Sequence, residues 1–98
     1  MNLDKQPIVL RCAEMFHIHP RDLVSKYRFK FLMPGRYALC AALYKKGWSY
    51  AYVGRFLNRD HSTIMNAIER ARYIMERDPE YVKKVDELAE IPVSITVE

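Results

Sequence analysis

Asp60, His61 and Ser62 follow one another directly, with Arg59 before them and Thr63 after. A carboxylate accepts hydrogen bonds, a neutral imidazole donates through one ring nitrogen and accepts through the other, and a hydroxyl does both. Such a trio suits the donor and acceptor patterns on the major-groove edges of base pairs, where Asp60 can accept from a cytosine amino group. It does not suit catalysis. A nucleophile, its base and an orienting acid must converge from separate elements, and three consecutive residues at a helix start cannot do so. No enzymatic activity is expected.

The flanking residues define how the trio is held. Ile64, Ala67, Ile68, Ala71, Ile74 and Met75 recur at i, i+3, i+4 and i+7, which makes one apolar helical stripe, and Ser62, Asn66, Arg70 and Tyr73 fall on the opposite side. Upstream, residues 49–57 read as a short helix with Ser49 as its N-cap and Val53, Phe56 and Leu57 turned inward. Asn58 and Arg59 make the turn. Asp60 can cap the second helix by accepting from the backbone N–H of Ser62 or Thr63, an arrangement worth about 0.5–2 kcal/mol. Two helices joined by a tight turn, with short polar side chains opening the second, have the layout of a helix-turn-helix.

The rest of the chain reads as helices around this pair. Helix 1 is expected from Pro7 to about Phe16, burying Val9, Cys12, Ala13 and Phe16, and a short helix after Pro20 directs Leu23 and Val24 to the core. Helix 3 runs from Pro34 or Gly35 to about Lys46, with Leu39, Ala42 and Leu43 inward and Gly47 as a left-handed terminator. Asp78-Pro79-Glu80 is a helix start, and helix 6 continues to about Ala89 with Val82, Val85 and Leu88 inward. The expected fold is all-α, a compact domain of about six helices over residues 1–90, followed by a tail at 91–98. Its β-prone run from Val93 to Val97 is open to disorder, folding back or pairing with another chain.

Composition bounds the function. Ninety-eight residues, half of them hydrophobic with three glycines and five prolines, suffice for one core. No apolar run approaches the ~20 residues that span a bilayer, and the N-terminus lacks a signal-peptide core, so a cytoplasmic protein is expected. Cys12 and Cys40 lie among apolar residues and read as buried thiols. With His17, His19 and His61 they form neither C-x-x-C nor an H-x₃₋₅-H pair, so neither zinc, a disulfide nor a cofactor is expected.

The net charge of +4 is unevenly spread. Residues 21–46 carry seven cations against Asp22 alone, a net +6, whereas residues 76–90 carry three cations against six acids, a net −3. A basic segment immediately before a helix-turn-helix is the electrostatic footprint of a phosphate-binding protein. Within it, Ser25-Lys26-Tyr27-Arg28-Phe29-Lys30-Phe31 alternates cationic and aromatic residues. Alternation is also a strand signal, but a lone strand in a helical domain has no partner, so a loop is preferred. Its cations would reach a nucleic acid while Phe29 or Phe31 anchors it to the core.

The run from Ser49 to Ala67, with its serine-started helix, Val53-Gly54 pair and Arg59-Asp60-His61-Ser62-Thr63-Ile64 signature, resembles the C-terminal DNA-binding domain of the bacterial replication initiator DnaA. Ala13-Glu14, the stretch from Asp22-Leu23 to Ser25-Lys26, the basic loop, and Arg36 before an alanine-rich helix extend the likeness over roughly residues 8–75. The resemblance implies a Trp-repressor-like helical fold that binds double-stranded DNA, with the recognition helix in the major groove and the basic loop in the adjacent minor groove. It assigns Asp60, His61 and Ser62 to base edges and Thr63 and Asn66 to backbone or van der Waals contacts. Arg28 matches the loop arginine of the minor groove, a role open also to Lys26 or Lys30, which otherwise contact the backbone. Arg36 matches a phosphate-contacting arginine, and Lys45 is the nearest counterpart of a phosphate-contacting lysine. Tyr50, Ala51 and Arg59 would pack on the DNA backbone.

The departures are equally specific. The turn is about one residue shorter than the commoner Gly-Gly form of the family, and Tyr27, Phe29 and Phe31 replace small or basic loop residues. The chain holds no G-x-x-x-x-G-K-[ST] phosphate loop, so ATP-driven origin melting is not expected of it. The expectation is a replication or transcription regulator of bacterial or phage origin, associated with the nucleoid, with double-stranded DNA as partner and neither a membrane nor a small-molecule substrate. The alternative is a protein-interaction module that retains the fold and binds a replication or transcription factor through helix 6 or the tail.

Overall fold

The computed structural model describes residues 2–93, and every regular element among them is helical. Six α-helices follow in order: α1 (Pro7–Met15), α2 (Pro20–Leu23), α3 (Met33–Lys45), α4 (Tyr50–Leu57), α5 (His61–Met75) and α6 (Pro79–Ala89), with single 3₁₀ turns at Leu3–Lys5 and Lys30–Leu32. The all-helical expectation and the helix-turn-helix at α4–α5 are both met. Residues 94–98, which carry most of the β-prone run, lie outside the described residues; Ile91 and Val93 pack against the core.

α3 is the hub because its sequence is apolar nearly all round. Gly35 and the whole run from Ala38 to Leu43 are buried, so no single face turns to water and neighbours must cover it on several sides. α1, α4, α5 and α6 all pack on it. The small side chains Ala38, Ala41 and Ala42 allow close approach, and Ile8, Val9, Leu39, Leu43, Ile64, Ile68, Val85 and Leu88 fill the space between the helices. α6 turns Tyr81, Val85 and Leu88 inward, so Tyr81 rather than the expected Val82 is its first fully buried residue, and the Tyr81 hydroxyl donates to the Pro34 carbonyl.

Local signals set the boundaries. Ser49 Oγ accepts from the Tyr52 N–H at 3.1 Å, and Asp78 accepts from the N–H groups of Glu80 and Tyr81 at 3.0 and 3.3 Å, both as the cap rule requires. Gly47 has φ 99°, the left-handed terminator of α3. One cap was not foreseen. His19 Nδ1 accepts from the Arg21 N–H at 3.0 Å and starts α2.

Candidate nucleic-acid interface

The α4–α5 turn consists of Asn58, Arg59 and Asp60. Asn58 takes φ 57°, ψ 51°, the left-handed conformation that asparagine tolerates better than most residues, and ends α4. The chain then returns so closely that the Arg59 N–H donates to the Gly54 carbonyl at 2.7 Å. A Cβ on Gly54 would lie 2.6 Å from the Arg59 carbonyl oxygen, so the tight turn requires glycine there. The Val53-Gly54 pair therefore has a physical reason: Val53 fills the core, and Gly54 admits the returning backbone.

This turn delivers Asp60, His61, Ser62 and Thr63 to the surface, all exposed, with Asn66 and Arg70 continuing the exposed face one and two turns on. Asp60 has the extended backbone of an N-cap, yet its carboxylate makes no cap bond to the helix backbone. It accepts instead from the Ser62 hydroxyl. The expected cap is thus corrected: the acid and the hydroxyl satisfy each other, and the first-turn N–H groups of α5 face outward without a side-chain acceptor from Asp60. The His61 ring rests beside Tyr50, with centroids 5.7 Å apart, and Tyr50 stacks on Tyr44 at 5.0 Å and 16°. Rings from α3, the first turn of α4 and the first turn of α5 thereby fix the imidazole's surroundings. A hydrogen bond with Tyr44, more than burial, raises the Tyr50 phenol above its usual pKa.

The basic segment forms a loop, as preferred, but its anchor differs from the expectation. Phe29 and Phe31 are 56% and 64% exposed, and Leu32, in the 3₁₀ turn, is the residue that enters the core. The loop is held from beneath by two guanidinium groups. Arg36 donates to the carbonyls of Asp22, Leu23, Ser25 and Tyr27, and Arg59 to those of Val24, Ser25, Leu57 and Asn58. Ser25 accepts from both. Arg36 and Arg59, expected at the DNA backbone, therefore form the clamp that shapes the loop.

Between this loop, the start of α3 and the exposed face of α5 lies a groove of about 410 Å³. Its walls include Lys26, Arg28, Arg36, Arg59 and Arg70 and contain no acidic side chain, while Leu23, Leu39, Ile64 and Ala67 contribute to its apolar lining. The chain holds no acidic residue between Asp22 and Asp60. Burial, followed by repulsion from Arg59 and Arg28, lowers the pKa of Arg36, as expected of cations crowded without counter-charge. Thr63 and Asn66 also line the groove. Arg70 does too, although it was not among the expected contacts; its place one turn after Asn66 on the polar face of α5 was the available signal.

The remaining expected contacts divide. Ala51 is exposed and Tyr50 half-buried at the start of α4, and Lys30 is exposed on the loop but outside the groove. Lys45 is paired with Asp86 of α6. Cys12 and Cys40 are buried free thiols, and burial pushes both up to about 12. Among the described residues no group of three potential ligands could hold a metal ion, and no helix is long and apolar enough to cross a membrane.

A search of curated proteins finds no match to this chain. The family model for the bacterial dnaA protein helix-turn-helix matches residues 6–71, about two thirds of the sequence, and includes α1 to α4, the basic loop, the turn and the polar start of α5. The family is a DNA-binding domain, not a catalytic one. On that match, and with a helix-turn-helix where its signature residues fall, the chain belongs to the DnaA helix-turn-helix family.

Proposed function

We propose that this protein binds double-stranded DNA sequence-specifically, with the start of α5 in the major groove and the clamped basic loop in the adjacent minor groove, as a regulator of replication or transcription acting in the cytoplasm at the nucleoid. The observation that carries the reading is the acid-free groove beside an exposed hydrogen-bonding trio. Phosphates seated between Lys26 and Arg70 would fix register without reading sequence. Asp60, His61 and Ser62 would then face base edges and supply the specificity.

The Asp60–Ser62 bond bears on how that reading works. With its O–H donating to the carboxylate, Ser62 presents its oxygen lone pairs as acceptors, and Asp60 retains further acceptor capacity. The free surface is therefore biased towards donors on the base edge, such as the amino groups of cytosine and adenine. Arg28 in a minor groove would favour A·T-rich, narrow sequence.

The acidic residues of α6 are a weaker basis for the protein-interaction reading, since Asp86 pairs with Lys45 and Glu87 with Arg11. Selection of bound duplexes from a random pool, followed by sequencing, tests the proposal. It predicts a common motif with an A·T-rich flank; a bound pool that stays random in sequence would contradict it.

A further inference from the structure

The aromatic edge of the basic loop is not used by the duplex reading. Tyr27, Phe29 and Phe31 are 60%, 56% and 64% exposed. They form a ladder rather than three isolated rings: Tyr27 and Phe29 have centroids 5.7 Å apart, and Phe29 and Phe31 stack at 5.8 Å with an interplanar angle of 14°. Because Leu32 anchors the loop, the rings are not needed by the core. The segment has two edges. Lys26 and Arg28 belong to the wall of the groove against α5, and none of the three rings lines it. Arg36 and Arg59 clamp the carbonyls from Asp22 to Ser25, and Arg36 also holds Tyr27, so the ladder stands on an ordered backbone.

We propose that Tyr27, Phe29 and Phe31 stack the unpaired bases of a single-stranded nucleic acid. The ligand must offer flat π-faces in series together with negative charge at a similar repeat, because the rings alternate with Lys26, Arg28 and Lys30 and no acid lies between Asp22 and Asp60 in the chain. A single strand has both properties, and its bases stack on aromatic side chains with little regard to sequence. A duplex keeps its bases paired and stacked inside, so it would have to be opened to meet all three rings. A folded protein partner would explain exposed rings but not their alternation with cations. The three rings have no part in duplex recognition by α5, although Lys26 and Arg28 serve both readings.

The test measures, by fluorescence anisotropy at one fixed salt concentration, binding of an oligothymidylate, of an abasic oligonucleotide of the same length, and of a duplex. The abasic strand has the phosphates without the bases. The protein is expected to bind oligothymidylate about ten-fold or more tighter than the abasic strand. Tyr27→Ala, Phe29→Ala and Phe31→Ala combined should abolish that gap, and the same three positions changed to Leu should also abolish it, because leucine keeps apolar surface without a π-face. The exposed rings can be replaced without emptying the core, and an unchanged thermal melt checks this. Equal affinity for the two strands in the native protein overturns the proposal, as does a gap that survives in either triple variant. Loss confined to the duplex would overturn it in favour of a wedge between paired bases. Duplex binding that fails in the native protein while the strand gap persists would count against the proposed function alone.

Discussion

Arg36 lines the basic groove, yet its guanidinium is directed at the chain's own backbone. Its guanidinium donates to two carbonyls at the end of α2, two in the loop and the Ser25 hydroxyl, a planar fork matched to diverging acceptors. Arg36→Ala would leave those carbonyls without their charged donor, and we expect a loss of about 2–4 kcal/mol in urea unfolding. Arg36→Lys should recover only part of it, since an ammonium carries its three donors on one nitrogen and cannot span acceptors now reached from Nε, Nη1 and Nη2. Full recovery by lysine would contradict the clamp. The sequence pointed to Arg36 and Arg59 as residues that matter but to a different role for each. Partners that are backbone carbonyls on another segment leave no pattern in side-chain types, so the clamp was not legible, whereas the exposed place of Asp60, His61 and Ser62 at the start of α5 was, because turn residues and apolar spacing are local.

At the scale of elements, the turn between α4 and α5 sets the aim of the trio, and Gly54 sets the turn. Gly54→Ala brings a Cβ against the Arg59 carbonyl, a backbone atom that can move only with the turn. We expect a cost of about 1–3 kcal/mol in chemical denaturation, with weakened DNA binding because α5 is displaced. The helices themselves were legible, since apolar spacing and the cap residues Ser49 and Asp78 are local. The anchoring of the loop was not. Phe29 or Phe31 was the expected anchor, but the 3₁₀ turn at Lys30–Leu32 directs Leu32 inward instead.

The two central elements also carry a pH prediction. Burial raises Cys12 in α1 and Cys40 in α3 from 9.0 to about 12, so folding favours the protonated thiols. A folded-state pKa raised above the unfolded one stabilises the fold fully below pH 9 and loses that contribution as pH rises from 9 towards 12. Neither thiol should react with an alkylating reagent at mildly alkaline pH in the native protein, and both should react in denaturant. Rapid native labelling would show that α1 and α3 do not pack as described.

Across the whole molecule, charge is sorted by the fold rather than by sequence position alone. The acidic stretch at residues 76–90 contains α6, whose Asp86 and Glu87 pair with Lys45 and Arg11, while the groove keeps five cations and no acid. The polarity of the molecule was readable from the chain, and so were Lys26, Arg28, Arg36 and Arg59 among the groove cations; Arg70 was missed, and the pairing of Lys45 with Asp86 left no local signal. Duplex affinity should therefore fall steeply with salt; Arg70→Ala should reduce the slope of log affinity against log salt by about 1 without changing sequence preference, whereas Arg28→Ala should also weaken the preference for an A·T-rich flank. The central claim is that the start of α5 reads sequence, and the direct measurement is the affinity ratio between a selected duplex and its scrambled counterpart, for the native protein and for His61→Ala/Ser62→Ala. Loss of base-edge hydrogen bonds worth about 1–3 kcal/mol predicts a ratio reduced roughly ten-fold or more, with binding to the scrambled duplex little changed. A ratio that stays the same in the double variant would contradict the account.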